Sequence, residues 1–120
     1  MFMAKSEFEN ALDKTQEISI TVKGRKSGKS ITLPIWFVHE PGKLQLLPVQ
    51  GSKTNWYRNL RKHSSIQVQA GNSKSSGNAR LVEDKAKIRA VADKFGKKYG
   101  AGDLKKYYSI FDVCVEVPIV

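Results

Sequence analysis

Residues 24–30 read GRKSGKS, and residues 31–38 continue as ITLPIWFV. The fold turns on what this junction is. A Walker-type phosphate loop has four residues between its first glycine and Gly-Lys-Ser, and it opens directly into a helix. Here Gly24 and Gly28 enclose only three residues. One residue fewer changes how many backbone N–H groups can wrap a phosphate. Ile31, Thr32, Leu33 and Pro34 read as a strand, not as a first helical turn. The preceding ISITVK, residues 18–23, alternates: Ile18, Ile20 and Val22 share one face, Ser19, Thr21 and Lys23 the other. The junction is therefore a turn between two strands, and a nucleotide triphosphatase is excluded.

Two readings of the turn stand side by side. In the first, Gly24 and Gly28 supply backbone freedom and the lysines keep an exposed loop soluble. In the second, the cations do more. Lys23, Arg25, Lys26 and Lys29 crowd around Ser27, and like charges that close repel unless an anion sits among them. A phosphate or carboxylate site built by a hairpin would answer that repulsion.

The chain has 120 residues, enough for one domain and one core. Hydrophobic content of 40% fits a globular protein. The opening MFMAKSEFEN carries Lys5, Glu7 and Glu9 and no apolar run, so a secretory leader is not expected. The longest apolar run, Leu33 to Val38, is too short to span a bilayer. The single cysteine, Cys114, cannot form an internal disulfide. A cytoplasmic location is the expectation. The formal net charge of +10 implies an anionic partner: nucleic acid, a membrane surface or a phosphorylated small molecule.

Outward from the turn, the pattern predicts a mainly β chain with helices. A first helix runs from about Glu7 to Lys14, with Ser6 and Glu9 as a capping box and Phe8, Ala11 and Leu12 on one face. ISITVK and ITLPIWFV are the first two strands, and Pro34 marks an edge or a bulge. KLQLLPVQ is the third strand, disturbed at its far end by Pro48. Thr54 caps a short helix carrying Trp56, Tyr57 and Leu60. SIQVQAG and NARLVED are strands four and five, joined by a hairpin loop, GNSKSSG, residues 71–77. A long helix spans about Lys85 to Tyr99, with Ile88, Val91, Ala92, Phe95 and Tyr99 as its buried stripe, and Gly100 stops it. VCVEVPIV is strand six, with Val113, Val115 and Val117 inward. Six short strands joined mostly by tight turns make an antiparallel barrel with helical additions.

The segment TNWYRNLRK has two readings as well. Trp56 and Leu60, four apart, pin the helix to the barrel. Alternatively, the Thr54–Asn59 end lies beside the basic hairpin, and its free amides extend an anion pocket. No catalytic constellation or metal site is assembled. His39 and His63 read as surface residues, and Cys114, in a valine-rich strand, as core.

Taken together, GRKSGK, the strand with Pro34-Ile35-Trp36-Phe37, NWYRNLRKHSSIQVQ and the NARLVED strand resemble the deazaflavin-dependent nitroreductase family. Its members show a G-R-[KR]-[ST]-G turn, a P-L-Y-type strand and a W-Y-x-N-L helix followed by a V-x-V-Q-type strand. The resemblance covers about Ile18 to Asp84 in the same order. It implies a six-stranded split β-barrel of the FMN-binding type, related to pyridoxamine phosphate oxidase. It implies binding of reduced coenzyme F-420 and hydride transfer to a quinone-like or nitroaromatic acceptor. By position, Arg25, Lys26, Ser27 and Gly28 would grip the coenzyme phosphate and acidic tail. Leu47, Pro48, Val49 and Gln50 would line the ring, and Asn55, Trp56, Tyr57 and Asn59 would complete the pocket. Tyr99 or Tyr108 would sit over the acceptor. Ile31 stands where the family usually has an arginine, and Val49 where it often has a small hydroxyl residue. The same barrel could hold FMN, whose phosphate also suits Arg25 and Lys26, and barrels of this type can pair as homodimers. A basic barrel binding single-stranded nucleic acid is the competing class. It fits poorly, because Trp56 and Tyr57 have apolar helical neighbours.

Overall fold

The computed structural model describes residues 7–119. The junction at GRKSGKS is a hairpin. Strand β1 (Ile18–Lys23) pairs antiparallel with β2 (Ser30–Ile35), from Ile18 opposite Ile35 to Lys23 opposite Ser30. The turn closes through Gly24 N–H to Lys29 O and Gly28 N–H to Gly24 O, both 2.8 Å. Gly28 adopts φ +71°, which a side chain would resist.

Six further strands follow: β3 (Val38–Glu40), β4 (Lys43–Leu46), β5 (Ser65–Ala70), β6 (Ser73–Asn78), β7 (Arg80–Val82) and β8 (Cys114–Pro118). They form two four-stranded sheets, ordered β2-β1-β5-β6 and β3-β4-β8-β7, and every named pairing is antiparallel. This is the split barrel, with eight strands instead of six. Both extra strands have a physical cause. ITLPIWFV does not run as one strand. It breaks at Trp36–Phe37, because β2 belongs to one sheet and β3 to the other. GNSKSSG is not a loop either. Only Gly71 and Asn72 turn, and Ser73–Asn78 pairs with β5 along its length. Serine and glycine are poor strand formers, but the free edge of β5 supplies a ladder, and a polar strand is well placed at a sheet edge. Pro34 sits on the opposite edge strand, β2, where its missing N–H costs no ladder bond.

The barrel interior is filled by Ile18, Ile20 and Val22 from β1, by Val115 and Val117 from β8, and by Phe8 and Leu12 of helix α1 (Glu7–Asp13). Ser6, the expected cap of α1, lies outside the described residues. Helix α2 (Asn55–Lys62) adds Trp56, Tyr57 and Leu60 to the same core. Helix α3 (Lys85–Tyr99) covers the outer face of the second sheet. It begins at Lys85 as the pattern predicts, and the Asp84 carboxylate caps it, accepting from the N–H groups of Ala86 (2.8 Å) and Lys87 (3.3 Å). Its Ile88, Val91 and Phe95 meet Val38, Val82 and Cys114 in a second core. At Gly100 (φ +96°) α3 stops, but the chain re-enters a helix at once. This is α4 (Ala101–Tyr107), for which the sequence pattern gives no warning.

His39, read as a surface residue, is largely covered, and its Nε2 lies 2.9 Å from Asp13 Oδ1.

The segment after β4 is braced from the far end of the chain. A 3-10 turn, Gly51–Lys53, carries it into α2. The Asp112 carboxylate clamps this turn, accepting from Ser52 N–H (2.8 Å) and Ser52 Oγ–H (2.6 Å). Ser109 N–H donates to Val49 O (2.9 Å), and Gln50 bridges to Ile110. Gly51, at φ +56°, fits under the clamp because it has no Cβ. A side chain there would collide with the Asp112 carboxylate and with Ile110. Gly51→Ala should therefore destabilise the fold by about 2–4 kcal/mol, read as a lower midpoint in denaturant titration. A variant of wild-type stability would show that the clamp yields freely.

Candidate functional site

The hairpin turn and α2 are bolted together by one arginine and one asparagine. Asn59 is buried, and its Oδ1 accepts from the Arg25 backbone N–H (3.1 Å) and from Arg25 Nη1 (2.8 Å). Arg25 also reaches the backbone and side-chain oxygens of Asn55, both at 3.5 Å. All these acceptors are neutral, so the guanidinium is positioned with no acidic partner among the described residues. Lys26 stands beside it.

This joint forms one end of a cavity of about 740 Å³. Arg25, Lys26 and Ser27 line that end, Asn55, Trp56 and Asn59 come from α2, and Val49 and Gln50 close the lip. No acidic side chain lines it among the described residues. Its floor is apolar: Leu33, Pro34 and Ile35 of β2, with Ile31 near the turn. Thr54 occupies the N-cap position of α2 but does not cap it. Its Oγ1 accepts from Gln50 N–H (2.8 Å) and holds the lip, which leaves the first amides of α2 without a side-chain cap.

A second cavity of about 330 Å³ adjoins the first and shares Pro34, Ile35, Val49 and Trp56 with it. Its other walls are Trp36, Leu47, Tyr107 and Tyr108, with Glu17 at the side. Trp36 is held flat by stacking on Tyr99, centroids 4.2 Å apart and planes 6° apart. Burial, and to a lesser degree the neighbouring Tyr99, push the Tyr108 phenol far above its ordinary value, so it stays protonated. Its hydroxyl has no hydrogen-bond partner among the described residues.

The expected site residues thus divide. Arg25, Lys26, Ser27, Val49, Gln50, Asn55, Trp56 and Asn59 meet around the larger cavity, and Leu47 and Tyr108 line the smaller one. Gly28 shapes the turn but lines neither cavity, and neither does the buried Pro48. Tyr57, 2% exposed, is core, and burial raises its phenol. Tyr99 lines neither cavity, and its hydroxyl is engaged by backbone. It accepts from Phe37 N–H (3.0 Å) and lies 2.8 Å from Gln16 O and 2.9 Å from Phe37 O. Lys98 Nζ donates to the same Phe37 carbonyl (2.9 Å). The strand break at Trp36–Phe37 leaves these backbone groups without a ladder, and α3 satisfies them. Sequence reasoning misses Glu17, Trp36 and Tyr107. Tyr107 follows from α4, and Glu17 has no signal beyond its place before β1.

A family model of F420H(2)-dependent quinone reductases matches residues 4–103. The chain belongs to this family. No curated protein matches it in sequence. Among solved structures, an F420-H2-dependent reductase, FDR-A, is 21% identical over 85% of this chain and 93% of its own, with a TM-score of 0.67. An F420 reductase is 16% identical over 98% and 97%, TM-score 0.65. A conserved hypothetical protein from Mycobacterium tuberculosis is 18% identical over 98% and 81%, TM-score 0.71. At these identities the likeness is one of fold, the FMN-binding-like split barrel. Membership of the family makes the general role that of an oxidoreductase dependent on F420H2.

Asn59→Ala should free Arg25 and leave its backbone N–H without the buried acceptor. The expected cost is about 1–3 kcal/mol of stability, with weaker anion binding, measured by thermal melts with and without inorganic phosphate. An unchanged melt would show that the joint is dispensable.

Lys98 supplies a pH-dependent counterpart. Burial lowers its ammonium from 10.5 to about 8. Between these values the unfolded chain keeps a proton that the folded chain has released. Raising the pH from about 8 to 10.5 therefore favours the folded state, and below 8 both states are protonated and the trend vanishes. Cys114, pushed up to about 11 by burial, acts in the opposite sense above pH 9. Comparing wild type with Lys98→Met cancels that effect. The stability of wild type relative to the variant should rise across this window in denaturant titrations, and a flat difference would contradict it.

Proposed function

We propose that the larger cavity binds reduced coenzyme F420 and that the smaller one holds a planar acceptor, quinone-like or nitroaromatic, for hydride transfer across the wall they share. The observation that carries this reading is the cavity pair. One end has uncompensated Arg25 and Lys26 over an apolar floor, and it opens sideways onto an aromatic chamber. The residues fit the coenzyme. Its anionic tail finds two cations and the uncapped first turn of α2, and its ring finds Pro34, Ile35, Val49 and Trp56. The family description, with its quinone acceptor, supports the same assignment.

The coenzyme, when bound, supplies the hydride. The chain's own contribution is placement. Asn59 and Asn55 orient Arg25, so the charged end has one register. The lip Val49–Gln50, held by Thr54 and Ser109, fixes the depth at which a ring can lie. Trp36, locked by Tyr99, gives the acceptor a flat wall, so two rings can meet face to face without further ordering. Tyr108 carries a protonated hydroxyl at the smaller cavity, unengaged among the described residues, and would hydrogen-bond an acceptor oxygen as charge develops there. Single-strand binding has little support, because Trp56 and Tyr57 are buried at 6% and 2% exposure and offer no stacking platform.

Fluorescence titration with reduced F420, and in parallel with FMN, tests the assignment. Wild type should bind F420 saturably, and Arg25→Ala and Lys26→Ala should each weaken it roughly tenfold or more, the scale of one charge-assisted contact. Tyr108→Phe should lower the rate with a quinone acceptor more than it alters coenzyme affinity. Equal F420 affinity in wild type and both cation variants would sink the site, and preference for FMN would replace the coenzyme.

A further inference from the structure

We infer that Glu17 makes the acceptor cavity selective against anions, so that the site takes neutral or cationic planar acceptors. This rests on the cavity assignment above and adds a property to it.

Glu17 is the one charged residue lining the smaller cavity among the described residues, and the other walls are apolar or aromatic. It lies between α1 and β1, where backbone on both sides is tied down. Thr15 Oγ1 donates to Glu17 O (2.8 Å) and accepts from Glu17 N–H (3.4 Å). The preceding carbonyl, Gln16 O, is 2.8 Å from the Tyr99 hydroxyl. Tyr99 in turn stacks on the cavity wall Trp36. The carboxylate is therefore carried by the same braced unit that builds the aromatic wall, not by a free loop.

Its sign is opposite to that of the molecule. A chain of net charge +10 attracts anions over its whole surface. The larger cavity strengthens that bias with Arg25 and Lys26 and no acid. A lone carboxylate at the adjoining chamber opposes it locally. Lys106 lies over the Tyr107 ring, 5.3 Å from its centroid, but does not line the chamber. The two cavities thus form a polar pair: a tail of negative charge is drawn to the hairpin end and turned away from the Glu17 end. One consequence is discrimination among acceptors. Another is that the acidic part of the coenzyme cannot settle in the acceptor chamber.

The test uses the chain's own fluorescence. Its two tryptophans, Trp36 and Trp56, both line the smaller cavity, so a bound quinone quenches them. Three anthraquinones of equal ring size are titrated: a neutral hydroxymethyl, an anionic 2-sulfonate and a cationic trimethylammoniomethyl derivative. In wild type the sulfonate should bind more weakly than the neutral ring, and the cation at least as tightly. Glu17→Gln should narrow the neutral-to-sulfonate affinity ratio by about three- to tenfold, the effect of one partly screened unit charge at several ångströms. Glu17→Lys should narrow it further, and added salt should shrink the wild-type ratio towards that of Glu17→Gln. Glu17 does not line the larger cavity, so a change in the ratio reports the smaller one. A ratio unchanged in both variants overturns the inference. Failure of every anthraquinone to quench overturns it too, since the chamber then receives no planar ring. Oxidation of reduced F420 by the neutral quinone is recorded separately. Turnover with an unaltered ratio refutes only the role of Glu17, whereas absence of F420 binding refutes the cavity assignment itself.

Discussion

Everything at this site depends on Arg25 being held by neutral oxygens. A guanidinium paired with a carboxylate would be equally well placed, but its charge would already be answered. Asn59 and Asn55 orient it with amide and backbone acceptors instead. The cost is a buried asparagine between a hairpin and a helix, and the return is a cation aimed into a concave space without a counter-ion. The same bonds fix α2 against the barrel, so Trp56 is placed by the same contact that places the charge. The cationic end and the apolar floor of the cavity are one mechanical unit, so a ligand spanning both, as proposed, would meet a preorganised surface.

The opposite wall is built on a different constraint. A chain passing from one sheet to another must leave backbone groups outside both ladders. Here those groups belong to Phe37, and α3 answers them through Tyr99 and Lys98. The bond to Phe37 also brings Tyr99 flat against Trp36. The aromatic wall is thus a by-product of satisfying a strand break. Lys98 is covered enough for its ammonium to fall to about 8, with the Phe37 ring 3.4 Å from Nζ. The docking of α3 on the second sheet thus braces one wall of the smaller cavity, Trp36, through Tyr99.

How much of this is readable in the residues depends on the range of each interaction. The hairpin is legible because a local rule decides it: three residues between glycines, then β-branched chain. Helix α3 is legible from about Lys85 to Tyr99, because its stripe and its Gly100 stop lie within the segment. Edge placement of Pro34 comes from its missing donor. The misses are all non-local. Ser73–Asn78 forms a strand because β5 offers it an edge, which its own composition does not announce. The break at Trp36–Phe37 depends on which sheet each half joins. Tyr99 stands at a position the family pattern associates with the acceptor, yet its hydroxyl is taken by a carbonyl and an amide 62 residues away in sequence. Glu17 has no local mark at all. The cations of the turn can be read, and their acceptors, neutral and 30 to 34 residues further on, cannot.

The arrangement also bears on Ile31 and Val49, which stand where the resemblance to the deazaflavin-dependent family leads one to expect an arginine and a small hydroxyl residue. Both line the larger cavity, and both are exposed, at 42% and 38%. Apolar side chains left open to solvent at a cavity rim gain when a ring or chain covers them. Ile31 leaves the cationic end with Arg25 and Lys26, so under the proposed assignment more of the anion recognition would fall to these two and to the first amides of α2. Val49 borders both cavities and removes a polar group from the boundary between them. The shared wall is then wholly apolar at Pro34, Ile35 and Val49, with the indole of Trp56 beside them. Water would find few partners there, and two flat rings, as proposed, would meet across an apolar boundary. The polar groups lie at the two ends, Arg25 and Lys26 at the hairpin and Glu17 with Tyr108 at the chamber, so under the proposed assignment charge and ring would be sorted by distance from an apolar centre.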